Sequence, residues 1–520
     1  MRKRKVFTIL ALLLLAAAQG VVAQTETHVS KLKTRTVDAE KWTVSPNPAE
    51  EGQTVNVTYT GRKKVMSVQA EKNPYTDLSM VDNAGNERQS QWTANCYMVH
   101  TAGKYRLPLV YGNAIKNGEA NTAAYTGTTK YLCTQTFPNH EGNPINAPWI
   151  TKSTDGQGAD RGMGISVTDA ELLWQDAQGL VTEVGIKGDY LTLTVGKDAT
   201  EQEGNAVVAA KTADGTIVWS WHIWVTRQTF AEADLATFNT GEHIYKLTPV
   251  NVGWVGDRVS AGYSPYYQWG RKDAFIPADP TKLETEEGET IGGGSSGGIG
   301  IGGWNTGTTI YAANLVVYDI NNNVVTGIET LLDDNATVAD NIKNPTTLYR
   351  NVNLNGSYYF HQLYTPNQSP AMNWWDAQQN VEPTYNISEK NIATATVKTV
   401  YDPCPAGFCV PTNNLFVYFG NLGKNALSTE ESIPGRTLTD GESSVFFPFI
   451  GFRDNIHDVT VTKVRNVDNA YYSSATGISN SSYNTYYRAA DFQISGNPPE
   501  PYTSLINHCH ALPVRAVAEE

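Results

Sequence analysis

The stretch His508-Cys509-His510 contains residue types that bind metal ions. Imidazole nitrogen and thiolate sulfur are preferred ligands of zinc. In a strand, however, consecutive side chains point to opposite faces, so the thiol would lie away from both imidazoles. The spacing therefore disfavours a shared ion, and we expect the protein to hold neither a metal nor another cofactor.

A second stretch, Asn373-Trp374-Trp375-Asp376, combines flat aromatic surface with polar side chains. Sugar rings stack on such surfaces, while carboxylate and amide groups bind their hydroxyls. Trp374, Trp375 and Asp376 are therefore candidate ligand-binding residues. The alternative is that both tryptophans pack in a core and anchor a loop. The triplets Glu-Pro-Asn and Gln-Pro-Asp, whose oxygens would suit a calcium-dependent sugar site, do not occur in the chain.

The chain has five cysteines. In an exported protein they favour disulfide bonds, with one thiol left over. Pairing by region joins Cys96 to Cys133 and Cys404 to Cys509, and it leaves Cys409 unpaired. The second bond would close a loop on the order of 100 residues, which stabilises a fold by about 4.7 kcal/mol in the chain-entropy model. For the first pair, two buried free thiols would look the same in the sequence.

Sequence motifs of common catalytic classes do not appear. The chain contains no His-Glu-x-x-His metalloprotease motif and no Gly-x-x-x-x-Gly-Lys-Ser/Thr phosphate-binding loop. The glycine-rich run from Gly292 to Gly303 lacks the Lys-Ser/Thr ending and opens no helix, so a nucleotide site is not expected. We therefore expect a protein without catalytic activity.

The N-terminus has the features of a secretory signal. The basic residues Arg2 to Lys5 precede the apolar stretch Val6 to Ala18, which is too short for a stable membrane span. Small side chains before Gln24 predict cleavage between Ala23 and Gln24. No later stretch approaches the roughly 20 apolar residues of a transmembrane helix, so we expect no membrane span in the mature chain. The formal net charge of −13 disfavours nucleic acid as a partner.

Alternation of polar and apolar residues recurs along the chain and predicts strands. Leu191, Leu193 and Val195, for example, share one face of a predicted strand. Residues 206–212 and 216–226 flank Asp214-Gly215, a dipeptide typical of a tight primed turn, and together they predict a hairpin.

The second strand of this hairpin carries Trp219, Trp221 and Trp224. We interpret the three tryptophans as packing residues, because the face that holds Trp219 and Trp221 is fully apolar. An exposed aromatic binding strip is the alternative.

The strong alternation of polar and apolar residues stops near residue 232, where we place the main domain boundary. Strands are predicted at 310–319 and 459–461, and a short helix is predicted to begin after Thr412. The region 466–499 is rich in Asn, Ser, Tyr and Gly, which predicts long irregular loops of the kind that often carry binding sites.

Four separated stretches of the second half resemble one known family. Residues 401–412 read Tyr-Asp-Pro-Cys-Pro-Ala-Gly-Phe-Cys-Val-Pro-Thr, close to the signature Asp-Pro-Cys-Pro-x-Gly-Trp-x-Val-Pro-Thr. Residues 266–273, 447–454 and 512–515 match three further motifs in the same order. These motifs resemble the Fibrobacter succinogenes major paralogous domain family, found in fimbrillin-like exported proteins of gut bacteria. The resemblance covers roughly the C-terminal half, and the first half is similar to fimbrillin-like sequences.

The resemblance implies a C-type-lectin-like scaffold with two short helices and a looped, twisted sheet. It also implies a disulfide at the signature cysteine. Ala516 stands where the family usually has the partner cysteine, so Cys509 would have to replace it. Phe408 and Tyr472 stand where the family commonly has Trp, and Cys409 replaces a frequent Arg.

The expected fold is therefore mainly β, with N-terminal β-sandwich modules followed by a C-type-lectin-like α+β domain with long loops. Residues 1–23 form the signal peptide, 24–90 an N-terminal β module, 91–232 a β-sandwich domain and 233–520 the lectin-like domain.

The expected function is that of an exported surface or fimbria-associated, adhesin-like binding protein. A secreted, lectin-like glycan-binding protein is the alternative. Its partners would be other surface or fimbrial subunits, or glycans, at the bacterial cell surface or outer membrane.

Overall fold

The structure is a computed structural model, and it describes a defined set of residues. These are 35–37, 57–59, 64–65, 74–126, 137–151, 162–196, 203–256, 262–287, 308–326, 329–332, 336–350, 374–378, 381–382, 395–428, 434–454, 463–480, 485–495, 500–507 and 510–520. The predicted cleavage site at Ala23 and Gln24, the glycine-rich run and the predicted strand 459–461 lie outside these residues. Two compact units are present, Met1–Thr76 and Asp77–Glu520.

The described strands run from one end of the chain to the other. They are β1 (Arg35–Val37), β2 (Val57–Tyr59), β3 (Lys64–Val65), β4 (Thr76–Asp77), β5 (Cys96–Val99), β6 (Gly103–Pro108), β7 (Ile115–Lys116), β8 (Glu119–Ala120), β9 (Asp169–Gln175), β10 (Val181–Lys187), β11 (Tyr190–Val195), β12 (Gly204–Lys211), β13 (Ile217–Val225), β14 (Ala236–Asn239), β15 (Ile244–Leu247), β16 (Tyr267–Gln268), β17 (Ala278–Glu287), β18 (Thr308–Asn314), β19 (Val317–Tyr318), β20 (Val324–Val325), β21 (Glu329–Leu332), β22 (Thr347–Arg350), β23 (Val381–Glu382), β24 (Phe408–Cys409), β25 (Gly435–Asp440), β26 (Ser443–Pro448), β27 (Lys463–Arg465), β28 (Ala470–Asn480), β29 (Thr485–Ser495), β30 (Glu500–Asn507), β31 (Ala511–Leu512) and β32 (Val517–Ala518).

Helices are few among the described residues. They are α1 (Val338–Lys343), α2 (Asn413–Leu422) and the 3-10 turns Leu78–Met80, Thr122–Ala124, Glu232–Asp234 and Lys424–Ala426. The prediction of a mainly β fold is therefore confirmed.

The strands of the first unit form a small sheet. β1 and β2 are parallel, and β3 is antiparallel to β2.

In the second unit, two sheets give the first half a sandwich-like body. Their strand orders are β10-β11-β6-β4 and β20-β19-β9-β12-β13-β5. Leu191, Leu193 and Val195 are all buried along β11, as their alternation predicts, and they share one hydrophobic cluster with Leu172 and Val208 of the other sheet. Burying one such side chain stabilises the fold by roughly 1.5–3 kcal/mol. This shared core holds the two sheets together.

The predicted hairpin is present, with β12 antiparallel to β13. Its turn is not the primed type. Gly215 has a φ of 87°, whereas Asp214 does not adopt positive φ. Hydrogen bonds from Gly215 N to Thr212 O and from Thr212 N to Thr216 O close a three-residue loop. Such a loop needs positive φ at one position only, and Gly215 supplies it.

The tryptophans of β13 are packing residues. Trp219, Trp221 and Trp224 are each at most 1% exposed. β13 is an inner strand with β12 on one side and the parallel strand β5 on the other. Residues on both faces of the strand are buried from Val218 to Val225, which leaves no exposed aromatic strip.

Chain segments from the second half complete the sandwich. β19 pairs with β9 through Tyr318 and Gln175, and the amide of Asn95 donates to the carbonyls of Val400 (2.7 Å) and Asp402 (2.8 Å). Asp77–Glu520 is accordingly one compact unit. The boundaries predicted at 90/91 and 232/233 stay predictions about which segments can fold alone.

The second half closes on itself near the C-terminus. β32 pairs with β15 through Val517 and Leu247, and with β24 through Val517 and Cys409. The helix predicted after Thr412 is present as α2, and its Phe416 ring stacks on Phe492 at a centroid distance of 5.1 Å.

The prediction of irregular loops over 466–499 is wrong for the described part of that range. β28 and β29 form a long antiparallel pair there. Tyr472, Phe492 and Ile494 are fully buried on these strands. Burial of these large side chains outweighs the loop preference of the neighbouring Asn, Ser and Gly residues.

Replacing Asn95 by alanine is expected to destabilise the second unit. The Asn95 side chain also accepts from the Trp219 indole N–H (3.0 Å), so its loss leaves two buried carbonyls and one buried N–H without this partner. An uncompensated buried polar group costs about 1–3 kcal/mol. The free energy of unfolding, measured in urea, should fall by about 3 kcal/mol.

Asn86→Ala is the matched control, because Asn86 bonds Asp82 at the exposed surface. It should change the free energy of unfolding by less than about 1 kcal/mol. Equal effects of the two substitutions would contradict the structural role given to Asn95.

Candidate functional site

A cleft lined by aromatic and proline side chains opens in the second half of the chain. Its volume is about 540 Å³, including space open to solvent. The lining consists of Trp254, Gly262, Tyr263, Tyr266, Ala278, Pro280, Leu283, Ala312, Pro434, Pro448, Phe449, Ile450 and Val467. No charged side chain belongs to this lining, so the cleft suits an apolar group.

Close packing holds Trp254 in the cleft wall. Its indole N–H donates to Gly256 O (2.9 Å), and its own carbonyl accepts from the Trp224 indole of β13 (3.0 Å). A Cβ atom at Gly262 would lie only 2.2 Å from the Trp254 ring, so the ring can take this position only beside a glycine. The wall therefore depends on a glycine and on the sandwich beneath it.

The two tyrosines of the cleft already use their hydroxyls. Tyr266 is buried and donates to Ile450 O (2.6 Å). The hydroxyl of Tyr263 bonds the carboxyl group of Asp176. Burial raises the pKa of Tyr263, as does the nearby Asp176 charge. Because Trp254 and Tyr266 are buried, the aromatic surface that the cleft offers belongs to the partly exposed Tyr263 and Phe449, while both tyrosine hydroxyls are engaged with the protein.

An exposed apolar residue stands at the rim of the cleft. Leu283 is 56% exposed on β17, a strand that pairs on one side with β18 and has no partner on the other side among the described strands. Val324, on β20, is exposed to the same degree, at 57%, but it is not part of the cleft lining. These two residues form a matched pair for mutation.

The sequence did not single out the cleft residues, although a signal for them exists. Trp254, Tyr263, Tyr266 and Phe449 each directly follow a glycine or a proline. Glycine permits close approach and proline stiffens the chain, so both favour an aromatic ring held at a surface. Only folding brings residues 254–266 and 449 together, and spacing along the chain does not reveal it.

The predicted ligand-binding residues Trp374, Trp375 and Asp376 are buried, at 3%, 0% and 0% exposure. The Trp375 indole donates to Arg271 O (3.1 Å), and Trp374 packs edge-on against Tyr401 with centroids 5.5 Å apart. Asp376 accepts from the backbone N–H of its own loop. A sugar cannot stack on ring faces covered in this way, so their contacts match the packing alternative.

Three of the four stretches that carry the family resemblance contact one another or the residues directly beside them. Tyr267 of β16 pairs with Leu512 of β31. The backbone N–H of Arg453 donates to Ala511 O (2.9 Å). The guanidinium of Arg515 donates to Phe446 O (2.7 Å). These contacts give the motif residues a role in holding the second half together.

The signature segment itself is buried. The Asp402 carboxylate accepts from the backbone N–H groups of Cys404 (2.8 Å) and Val410 (2.9 Å). The Lys398 ammonium donates to the carbonyls of Cys404 (2.9 Å) and Pro405 (2.8 Å), and it lies 3.7 Å from the Glu519 carboxylate. Lys398 is 2% exposed, so it is a buried residue that stabilises the turn through these hydrogen bonds and not a surface charge.

The cysteines that the structure describes are Cys96, Cys404 and Cys409, all buried and with free thiols. Burial raises the pKa of each thiol, which disfavours the reactive thiolate. The predicted partners Cys133 and Cys509 lie outside the described residues. Because Cys96 and Cys404 are free thiols in the structure, neither the Cys96–Cys133 nor the Cys404–Cys509 bond is present in it.

One cluster has the residue types of a nucleophile and its base. The Ser220 hydroxyl donates to Asp273 (2.7 Å), and the Lys272 ammonium bonds both Ser220 and Asp273. Burial lowers the pKa of Lys272. All three side chains are at most 5% exposed, and the Lys272 ammonium lies 4.6 Å from the centroid of the Trp219 ring. A substrate has no access to this cluster, which makes it a packing element.

His510 is the described member of the predicted His-Cys-His stretch. Its ring is 6% exposed, stacks on Phe452 and lies 3.5 Å from the Asp454 carboxylate. The described residues contain no group of three or more His, Cys, Asp and Glu side chains placed to hold a metal ion.

Comparison with known proteins gives no relative for this chain: no family model, no curated protein and no solved structure matches it. Among the described helices, none has the length and apolar character needed to cross a membrane.

Native protein should protect the three buried thiols from alkylation. Cys96, Cys404 and Cys409 are expected to resist iodoacetamide at about pH 8, because each thiol is buried and its pKa is raised. Peptide mass spectrometry identifies the labelled residues. Labelling of any of the three in folded protein would contradict their burial.

The same assay in denaturant without reductant decides the disulfide prediction. Labelling of Cys404 shows a free thiol, and protection of both Cys404 and Cys509 shows the predicted bond.

Proposed function

We propose that this chain is an exported, non-catalytic, adhesin-like binding protein of the bacterial surface, fimbria-associated or otherwise surface-bound. In this proposal, the aromatic cleft beside β17 receives an apolar part of a protein partner. The observation that carries the proposal is a partly open cleft in which Tyr263 and Phe449 are partly exposed, Leu283 is exposed and no lining residue is charged. Export rests on the predicted signal peptide, and the fimbrial setting rests on the family resemblance.

Several observations support binding rather than catalysis. The three described cysteines are buried, and the Ser220–Lys272–Asp273 cluster has no opening to solvent. The aromatic cleft brings no acid, base or nucleophile to a ligand other than tyrosine hydroxyls already in use. Apolar burial is the interaction that such a surface provides.

The alternative is a secreted, lectin-like glycan-binding protein. It is favoured by the aromatic rings of the cleft, on which a sugar could stack. It is disfavoured there by the scarcity of free polar groups, because sugar recognition needs donors and acceptors for ring hydroxyls. A glycan array with folded protein, with and without calcium, tests this alternative directly.

A charge at the cleft rim should abolish partner capture. Full-length protein carrying Leu283→Asp is used as bait in cross-linking pull-downs from the native cell surface. Because the substitution places a carboxylate where an apolar group would be buried, recovery of surface or fimbrial subunits should fall at least tenfold relative to the unmodified chain.

Val324→Asp is the control, since it adds the same charge at an equally exposed site outside the cleft lining. It should leave recovery unchanged. Recovery of nothing but free monomer by the unmodified chain would count against the binding function itself. Equal recovery with Leu283→Asp would place the binding surface elsewhere.

A further inference from the structure

A chain of buried polar groups runs from the sandwich to the second half. The Tyr267 hydroxyl lies 3.1 Å from His222 Nδ1, and His222 Nε2 lies 2.9 Å from the Asn205 side-chain oxygen. The Asn205 amide nitrogen donates to Asp176 Oδ2 (2.8 Å), and its backbone N–H donates to Asp176 Oδ1 (2.7 Å). The Tyr263 hydroxyl bonds the same carboxyl group.

Among the described residues, the hydrogen-bond partners of Asp176 are neutral. Burial raises the pKa of its carboxyl group to about 7, and the hydrogen bonds from Asn205 and Tyr263 offset this only in part. Burial also lowers the pKa of His222 to about 3, so the imidazole stays neutral and does not act as a counter-ion near neutral pH. A buried carboxyl without a cation among its hydrogen-bond partners takes up a proton readily.

Tyr263 connects the Asp176 carboxyl group to the cleft. Tyr263 lines the cleft and is partly exposed, while its hydroxyl reaches the buried Asp176. Gly204 makes room for the carboxyl group, because a Cβ atom there would lie 2.4 Å from Asp176 Oδ1. Asn205 at the start of β12 donates to both carboxyl oxygens, so a change in the protonation of Asp176 alters its bond to Tyr263.

We infer that proton uptake by Asp176 regulates the cleft through Tyr263, so that the cleft binds apolar ligands more tightly when Asp176 is ionised. This inference rests on the proposed function of the cleft. An ionised Asp176 accepts a charge-assisted hydrogen bond from Tyr263 and fixes its ring in the wall. Protonation replaces this bond by a weaker neutral one, in which the carboxyl donates to the Tyr263 oxygen, and the wall loosens.

Other titratable groups face this pair from the surrounding elements. Glu203, just before β12, accepts from Arg227 N (2.6 Å) and from the Thr226 hydroxyl (3.1 Å). Asp279, on β17, accepts from Thr281 and pairs with Lys282 (3.0 Å). Both bond groups outside the Asp176–Tyr263 pair, although their charges also contribute to the raised pKa of Tyr263.

The test is a fluorescence titration with N-phenyl-1-naphthylamine, an uncharged aromatic probe, on the full chain at about pH 6 and about pH 8. Unmodified protein should bind the probe about fivefold more tightly at the higher pH, the effect of exchanging a neutral hydrogen bond for a charge-assisted one. Asp176→Asn and Tyr263→Phe should each show the weaker affinity at both pH values. Glu284→Gln, which removes a different carboxylate next to Leu283, should keep the pH dependence.

Thermal unfolding gives a second readout that needs no ligand. The pKa of Asp176 is about 7 in the folded protein and about 3.8 in the unfolded chain. Protonation of Asp176 therefore contributes stability that is fully present below about pH 3.8. This stabilisation is lost as the pH rises through about 7. The unfolding midpoint of unmodified protein should therefore fall between about pH 5 and pH 8 relative to that of Asp176→Asn.

The outcomes separate the regulation from the function it rests on. Equal probe affinity at both pH values, with binding abolished by Leu283→Asp, overturns the regulation and leaves the cleft as a binding site. A pH dependence that persists in Asp176→Asn or in Tyr263→Phe also overturns it. Probe binding that Leu283→Asp does not weaken removes the cleft as the site, and the regulation falls with it.

Discussion

Buried polar groups at the junction between the sandwich and the second half determine how the rest of the second unit is arranged. Asn95 bonds Val400 and Asp402, Asp402 bonds the backbone of its own turn, and Lys398 caps that turn from the other side. Each of these groups left water on folding, so each requires a partner in the protein. This requirement allows few relative positions for the two halves. Segments that lie about 300 residues apart in the chain are therefore joined in one compact unit.

The cleft depends on the same contacts between the two halves of the chain. The Trp254 carbonyl accepts a hydrogen bond from Trp224 of the sandwich, and the Tyr263 hydroxyl bonds the carboxyl group of Asp176. The opposite wall, around Phe449 and Ile450, is fixed by the Tyr266 hydroxyl and by buried guanidinium groups such as that of Arg453, which donates to Ile276 O. A wall built on two halves of the chain can keep Tyr263 and Phe449 partly exposed to solvent without collapse, which is what an apolar binding surface needs.

The sequence predicted the parts of the fold that alternation encodes. Leu191, Leu193 and Val195 show period-two burial. The helix predicted after Thr412 is present as α2, which buries Leu415, Phe416 and Phe419. Composition was a poorer guide: β28 and β29 are strands because Tyr472 and Phe492 are buried, despite many Asn and Ser neighbours. Aromatic type alone did not separate the buried Trp374 and Trp375 from the cleft residue Tyr263, since exposure is decided by contacts between distant segments.

We propose that this protein binds its partner through the aromatic cleft. Hydrogen–deuterium exchange on the full chain, with and without a native cell-surface fraction, tests it most directly. We expect slower exchange in residues 262–266, 278–283 and 448–450, which contain lining residues of the cleft, when the fraction is added. Unchanged exchange in these residues, with slowing confined to other surfaces, would contradict it.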